Sequence, residues 1–188
     1  MRVRKEGTAL ARECKARGAD VTLILGPVNI PDIPDVEVIK VVSANDMFEA
    51  VKSSYKGKDI VIFAAAVADY RPAIKSDIKI KKSNDDLVLD LIKTQDIARY
   101  VGENKEDKQF LVGFALENNN ELENAISKLK KKNFDMIVLN SLNDKGAGFG
   151  YDTNKITIIR SLYNKMSNYE LKDKNSVAKD IIDQVIEE

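Results

Sequence analysis

Residues 59–72 read DIVIFAAAVADYRP, and the two halves of this stretch suit different structures. The first half, Asp59 to Ala65, is a short run of β-branched and aromatic residues, the composition of a strand buried on both faces of a parallel sheet. The second half, Ala64-Ala65-Ala66-Val67-Ala68-Asp69-Tyr70-Arg71-Pro72, replaces bulk with methyl groups. Small side chains beyond a buried strand let a ligand approach the backbone closely, and Asp69 adds a carboxylate. The competing explanation is purely structural: tight strand-on-helix packing, with Asp69 as a helix cap. Ligands of open α/β sheets bind beyond the carboxyl ends of the strands, so this loop is the first candidate site.

Working outward, the pattern alternates between strands and helices. Toward the amino end, Gly7 to Arg17 has helical spacing, with Gly18 just past its basic end. Val21 to Leu25 is a short apolar strand closed by Gly26-Pro27, and Val36 to Val42 is another. Ser43 is placed to cap a helix through Met47, Ala50 and Val51. Toward the carboxyl end, Leu87 to Ile92 alternates at period 2, Asp96 to Val101 is a short helix and Phe110 to Ala115 a strand. Asn118 to Asn133 is a charged amphipathic helix with Leu122, Ala125, Ile126 and Leu129 on one face. Asp135 to Leu139 and Ile156 to Ile159 are strands, and Asn175 to Ile186 is a closing helix. This order predicts an α/β fold, a Rossmann-like, mainly parallel sheet with helices on both faces, in a single domain over residues 1–188.

Composition removes several functional classes. The 188 residues carry 30 Lys plus Arg against 30 Asp plus Glu, no His, no Trp and one Cys. Without His there is no Ser-His-Asp or Cys-His unit and no imidazole general base. A lone Cys14 cannot form an intramolecular disulfide or a Cys-rich metal site, which points to a reducing cytoplasm. A formal net charge of zero offers no basic footprint for nucleic acid. The longest apolar run, Ile60 to Ala68, is too short to cross a bilayer. Arg2, Arg4 and Lys5 are followed by no signal-peptide hydrophobic stretch. A cytoplasmic protein with no membrane or nucleic-acid partner is expected.

Three further segments could carry chemistry. In Lys79-Ile80-Lys81-Lys82, an extended chain puts Lys79 and Lys81 on one side, where clustered ammoniums suit a polyphosphate; a solvated charged face is the plainer explanation. Phe114, in Gly113-Phe114-Ala115, could stack on a base or simply fill the core. Gly146-Ala147-Gly148-Phe149-Gly150-Tyr151-Asp152 permits a tight loop. Neither a G-x-G-x-x-G nor a Walker G-x-x-x-x-G-K-[ST] motif is present. Lys128 and Lys132 share a helix face at a spacing of four, either to reach one anion together or to face water. Cys14 reads as a packed thiol. From the residues alone, the conclusion is an anion or nucleotide site.

Taken jointly, AAAVADYRP at 64–72, KIKK at 79–82, VGFALE at 112–117, KKKNFDMIVLN at 130–140 and GFGYDTNKITII at 148–159 occur in an order and spacing that resembles phosphopantothenoylcysteine synthetase. GTALARECKARGADVTLILGPV at 7–28 is similar to the same family, so the resemblance extends from Gly7 onward. It implies a ligase of coenzyme A biosynthesis that joins 4′-phosphopantothenate to the amino group of cysteine. CTP (or ATP) with Mg²⁺ first gives an acyl-nucleotidylate and pyrophosphate, and cysteine then displaces the nucleoside monophosphate. Activation at phosphorus needs positioning and charge neutralisation, not histidine. The resemblance also implies a homodimer, and a flavin-dependent decarboxylase as a fused domain or a separate chain.

Carried over position by position, Asp69, Lys79, Gln95, Asp96, Ile97, Ala98, Phe114, Lys128 and Lys132 match nucleotide-contacting residues of that family. Ala65 and Ala66 match the small residues beside the acyl-nucleotidylate, and Lys79 and Ala66 are the expected catalytic pair. No protein metal ligands are implied. The family commonly has Pro where Gln95 stands. Its opening strand, Gly-Thr-rich turn and Asn-containing S-S-G-K-like segment have no counterpart here beyond Lys5 and Gly7. The expectation is a shortened or incompletely represented synthetase, in which a domain lacking that strand leaves the apolar faces of its neighbours exposed; if the Asn is truly absent, nucleotide binding survives while ligation is impaired. Two other functions fit the residues less well: a dinucleotide-dependent oxidoreductase on a similar fold, and a non-catalytic nucleotide-binding or dimerisation module.

Overall fold

A computed structural model describes the chain except for residues 1–4, 29, 32, 75, 77, 80–87, 142, 144–150, 163–164 and 188. Its centre is a five-stranded sheet in the order β10-β9-β7-β6-β3. Strands β3 (Ile60–Phe63), β6 (Phe110–Glu117) and β7 (Met136–Ser141) run parallel, while β9 (Ile156–Arg160) and β10 (Met166–Asn168) close one side antiparallel. The expected mainly parallel sheet is present, and its antiparallel margin is an addition to the expectation. A second parallel ladder joins β1 (Thr22–Leu25) to β2 (Glu37–Lys40).

Period-2 alternation along β6, β7 and β9 divides the interior into two cores. Val112, Met136, Val138, Ile156 and Ile158 face α1 (Lys5–Ala16) and α5 (Lys174–Ile186), where Leu10, Val177 and Ile181 meet them. Leu111, Ile137, Leu139 and Ile159 face the other way, onto Val101 of α3 (Ile97–Glu103), Ala125 and Leu129 of α4 (Glu121–Lys131) and Tyr55, which follows α2 (Ala44–Ser54). Helices therefore cover both faces, as the sequence pattern requires. Of the amphipathic stripe on α4, Ala125 and Leu129 are buried but Leu122 is 43% exposed. Cys14 is half-buried against the first core, and burial raises its thiol pKa, which fits a packed, unreactive role.

Caps set the helix boundaries. Ser43 accepts from the Asp46 N–H at 3.1 Å while Asp46 Oδ2 accepts from the Ser43 N–H at 2.8 Å, a capping box on α2. Asp96 caps α3 by accepting from the Arg99 N–H at 3.0 Å. α4 ends where Asn133 enters the left-handed region at φ 52°, with the Phe134 N–H returning to the Leu129 carbonyl at 3.0 Å.

Other expectations shift. Phe110 to Ala115 is only part of β6, which continues to Glu117, so Phe114 lies within the strand and packs on the first core rather than ending it. Leu87 to Ile92 does not form one strand. Leu87 lies outside the described residues, and the ladder is β4 (Tyr70–Pro72) against β5 (Leu91–Lys93), an antiparallel ribbon whose Leu91 and Ile92 are exposed. Period 2 there reflects a two-stranded ribbon, not a core strand. Two short strands, β8 (Thr153–Asn154) and β11 (Lys172–Asp173), pair with each other ahead of α5.

Strands β1 and β3 each have a described partner on one side only. A cleft of about 1310 Å³ lies between them, walled by residues such as Leu23, Leu25, Ile60 and Ile62, and continues to the carboxyl ends of the strands.

Gly113 sits where β6 passes under Phe134. A Cβ added there would lie 2.0 Å from Phe134 Cε2, so Gly113→Ala must displace the ring or the strand. Overpacking of this kind costs about 1–3 kcal/mol. Chemical denaturation of Gly113→Ala should show that loss at an unchanged m-value.

Candidate functional site

The polar end of the cleft is assembled from four chain segments. The small-residue loop leaves β3 at Ala64, with Ala65, Ala66, Ala68 and Asp69 exposed. The start of α1 lies against it, since a Cβ on Gly7 would be 3.6 Å from Ala64 Cβ. The second segment, Thr94 to Ala98, is held to the first by Thr94, whose N–H donates to the Asp69 carbonyl at 2.9 Å and whose hydroxyl donates to the Ala68 carbonyl at 2.5 Å. Gln95 and Asp96 are exposed there, Ile97 is buried, and Ala98 packs on the second core. The third is β6, which brings Phe114 and Glu117. The fourth is the end of α4, which carries Lys128 and Lys132.

Two half-buried ammoniums dominate the electrostatics. Lys128 Nζ donates to the Phe114 carbonyl at 2.6 Å. Burial lowers its pKa, and the carboxylates of Glu117 and Asp69 pull the other way. Lys132 Nζ donates to Asp96 Oδ2, and its pKa is also lowered by burial, against the opposing attraction of Asp69. Both sites therefore keep a cation partly out of water, Lys132 against the Asp96 carboxylate and Lys128 against a main-chain carbonyl. α3 and α4 are locked at close range to permit this. A Cβ on Gly102 would lie 2.0 Å from the Lys132 carbonyl, and Asn133 Nδ2 donates to the Gly102 carbonyl at 3.0 Å.

Of the residues singled out by sequence, Ala65, Ala66, Asp69, Gln95, Asp96, Ile97, Ala98, Lys128 and Lys132 line one cleft. Phe114 enters through its main-chain carbonyl and sits half-buried beside them. Lys79 is exposed in the segment joining β4 to β5, away from the cleft wall. Lys81, Lys82 and Gly146 to Gly150 lie outside the described residues. Thr94 and Glu117 were missed. Thr94 carries a weak signal, a hydroxyl residue two positions before a helix cap, and Glu117 shows only as the acid closing the VGFALE string. A buried amide network was also missed: fully buried Asn154 donates through Nδ2 to Glu6 Oε1 at 2.5 Å and to Asn140 Oδ1 at 3.1 Å, tying α1 to the end of β7.

Comparison with known proteins places this geometry in context. Residues 4–188 match the family described as DNA/pantothenate metabolism flavoprotein C-terminal domain. The chain belongs to this family. It is 41% identical over 184 residues to the coenzyme A biosynthesis bifunctional protein CoaBC of Haemophilus influenzae, covering 97% of this chain and 45% of that one. It is 52% identical over 181 residues to a cysteine/cysteine sulfinic acid decarboxylase of an unknown prokaryotic organism, covering 96% and 50%. The chain thus spans about half the length of these curated relatives. The crystal structure of the C-terminal domain of CoaBC superposes with a TM-score of 0.80 at 39% identity, over 96% of this chain and 82% of that one. A Cab2 chain in complex with phosphopantothenate-cysteine shares the fold alone, with a TM-score of 0.63 at 18% identity over 81% and 52%.

The lowered pKa of Lys128 fixes the sign of a pH effect in this family member. A bound anion favours the ammonium, so affinity for inorganic trimetaphosphate, whose own charge is constant from neutral pH upward, should fall as pH rises through the lowered Lys128 value, below the ordinary 10.5. For folding the sign is opposite: the unfolded chain holds the proton longer, so the burial cost is present at neutral pH and relieved as pH rises toward 10.5. Calorimetric titration from pH 7 upward should show the alkaline decline in wild type and a weaker, flatter profile in Lys128→Met.

Proposed function

We propose that this domain is a nucleotide-dependent ligase joining 4′-phosphopantothenate to cysteine in coenzyme A biosynthesis. The observation that carries the reading is the convergence of Lys128 and Lys132, both half-buried, on the open end of a loop of alanines, beside Asp69 and Asp96. Family membership and 39% identity to the C-terminal domain of CoaBC support the same chemistry.

In this reading CTP or ATP lies across the carboxyl ends of β3 and β6. Lys128 and Lys132 neutralise phosphate oxygens, with Lys132 exchanging its Asp96 partner for the ligand. The methyl side chains of Ala65 and Ala66 let the acyl-phosphate centre approach the backbone. The phosphopantothenate carboxylate attacks the α-phosphorus and pyrophosphate leaves; the cysteine amine then attacks the acyl carbon and the nucleoside monophosphate leaves. Among the described residues no group of three His, Cys, Asp or Glu is placed to hold a metal. Mg²⁺ would be carried by the nucleotide phosphates, with Asp69 or Asp96 near enough in the same cleft to contribute a carboxylate. Its chemistry would be neutralisation of the pyrophosphate leaving group.

The β4–β5 ribbon supports a homodimer. Ile74 is 84% exposed, Ile78 82% and Val88 82%, apolar side chains that a second copy of this chain would cover. Lys79 lies in the same segment and would reach a triphosphate only when the ribbon is folded over a site. A decarboxylase acting on the product, fused or separate, completes the reading. Among the described residues no helix is long and apolar enough to cross a membrane, in keeping with a cytoplasmic enzyme.

The test is pyrophosphate release from CTP and from ATP with 4′-phosphopantothenate, with and without cysteine. Release followed by product on adding cysteine is the expected result. Release without product locates a defect in the second half-reaction, and nucleotide binding with no release favours a non-catalytic module. Lys79→Gln should lower release at least tenfold, because no neutral side chain replaces an ammonium against a triphosphate. Near-normal release in that variant would leave Lys79 a solvated lysine.

A further inference from the structure

Thr94 joins two loops that leave different parts of the fold. Its N–H bond to the Asp69 carbonyl, 2.9 Å, continues the ribbon register in which Tyr70 faces Lys93. Any residue but proline supplies that bond. Its hydroxyl bond to the Ala68 carbonyl, 2.5 Å, is different, because only Ser or Thr supplies it here. Two residues further on, Asp96 caps α3 and accepts from Lys132. Thr94 is thus pinned at once to the loop of small residues and to the start of the segment that carries the Lys132 partner.

The alanine loop needs such a tie. Ala65, Ala66 and Ala68 are exposed, and a methyl group in water gives no packing to hold a backbone conformation. The property that lets a ligand come close therefore also leaves the loop without side-chain anchors at those three positions. A side-chain hydroxyl bonding to the loop's own carbonyl supplies the order that the alanines cannot.

We propose that Thr94 is a positioning residue whose hydroxyl fixes the main chain of residues 64–69 relative to the Asp96–Lys132 pair, so that both loops present one spacing to the ligand. This rests on the ligase reading above. Small displacements in such a site cost turnover steeply, while the backbone N–H bond keeps the ribbon in register without the hydroxyl.

The experiment compares Thr94→Val, which keeps the β-branched shape and loses the hydroxyl, with Thr94→Ser, which keeps the hydroxyl. In T94V, kcat for pyrophosphate release should fall about tenfold, with the melting temperature within a few degrees of wild type and KM for cysteine unchanged. Amide exchange at residues 64–69 should accelerate while that of α4 does not change. T94S should restore both turnover and protection. Wild-type turnover and exchange in T94V would overturn the proposal, as would T94S impaired as deeply as T94V. If T94V does not fold, Thr94→Ala is the second hydroxyl-free variant for both measurements. Wild-type protein that neither binds CTP or ATP nor releases pyrophosphate overturns the ligase reading instead, and the exchange comparison then decides whether the hydroxyl orders the loop.

Discussion

Strands β6 and β7 are covered on both faces, with Leu111, Val112, Met136, Ile137 and Val138 all fully buried, and the placement of polar groups in the domain follows from that. A strand with no solvent face cannot carry an uncompensated charge, so carboxylates and ammoniums collect where the strands begin and end. At the amino end of β7, Asp135 is held by Lys105 at 2.6 Å and by the Leu111 N–H at 2.7 Å. At the carboxyl end, Asn140 and Asn154 satisfy each other and Glu6. The amino-end pair closes on itself, whereas the carboxyl end opens into the cleft and leaves Lys128 and Lys132 facing it.

Those two lysines show which effect prevails at the site. Each feels a nearby carboxylate that favours its charged form, yet for both the pKa falls, so desolvation outweighs attraction. The fold already sets the Asp96 carboxylate against Lys132 Nζ and leaves Lys128 Nζ on a main-chain carbonyl, that of Phe114. It places both lysines in or just beyond the last turn of α4, where the helix dipole favours a cation, and clamps that turn against α3 through Gly102. Charge held at a cost in the folded state supports the proposed polyanion site, because a ligand bound there would supply neutralisation.

How much of this was legible in the sequence varies with the physical signal. The strands β3, β6 and β7 and the cap Ser43 could be read because burial and capping leave local patterns in residue type. Lys128 and Lys132 could be placed on one face from spacing alone, but not shown to be half-buried, since that depends on Gly102 lying 31 residues before Asn133. The ribbon showed in the sequence only as period-2 alternation at Leu87 to Ile92, because alternating apolar residues look alike on a core strand and on an exposed hairpin. Thr94 was missed for a related reason: its partners, Ala68 and Asp69, are distant in sequence, and a threonine at the end of a strand carries no mark of what its hydroxyl reaches.

The cleft joins two environments that place different demands on whatever fills it. At about 1310 Å³ it exceeds the roughly 300–1,000 Å³ of a single small-molecule site. Between β1 and β3 its walls are apolar and its rims are strand edges with a described partner on one side only. Exposed edges of that kind are satisfied by main-chain hydrogen bonding along a strand, not by an anion. At the carboxyl end the walls carry the ammoniums of Lys128 and Lys132 beside the carboxylates of Asp69 and Asp96, a polar lining that suits a charged group and not hydrocarbon. The boundary between the two falls at Ala64, where β3 stops and Gly7 of α1 comes into contact. Pairing along the edges of β1 and β3 would therefore bear on the site through the position of the alanine loop, while leaving the two lysines, which are set by α3 and α4, in place.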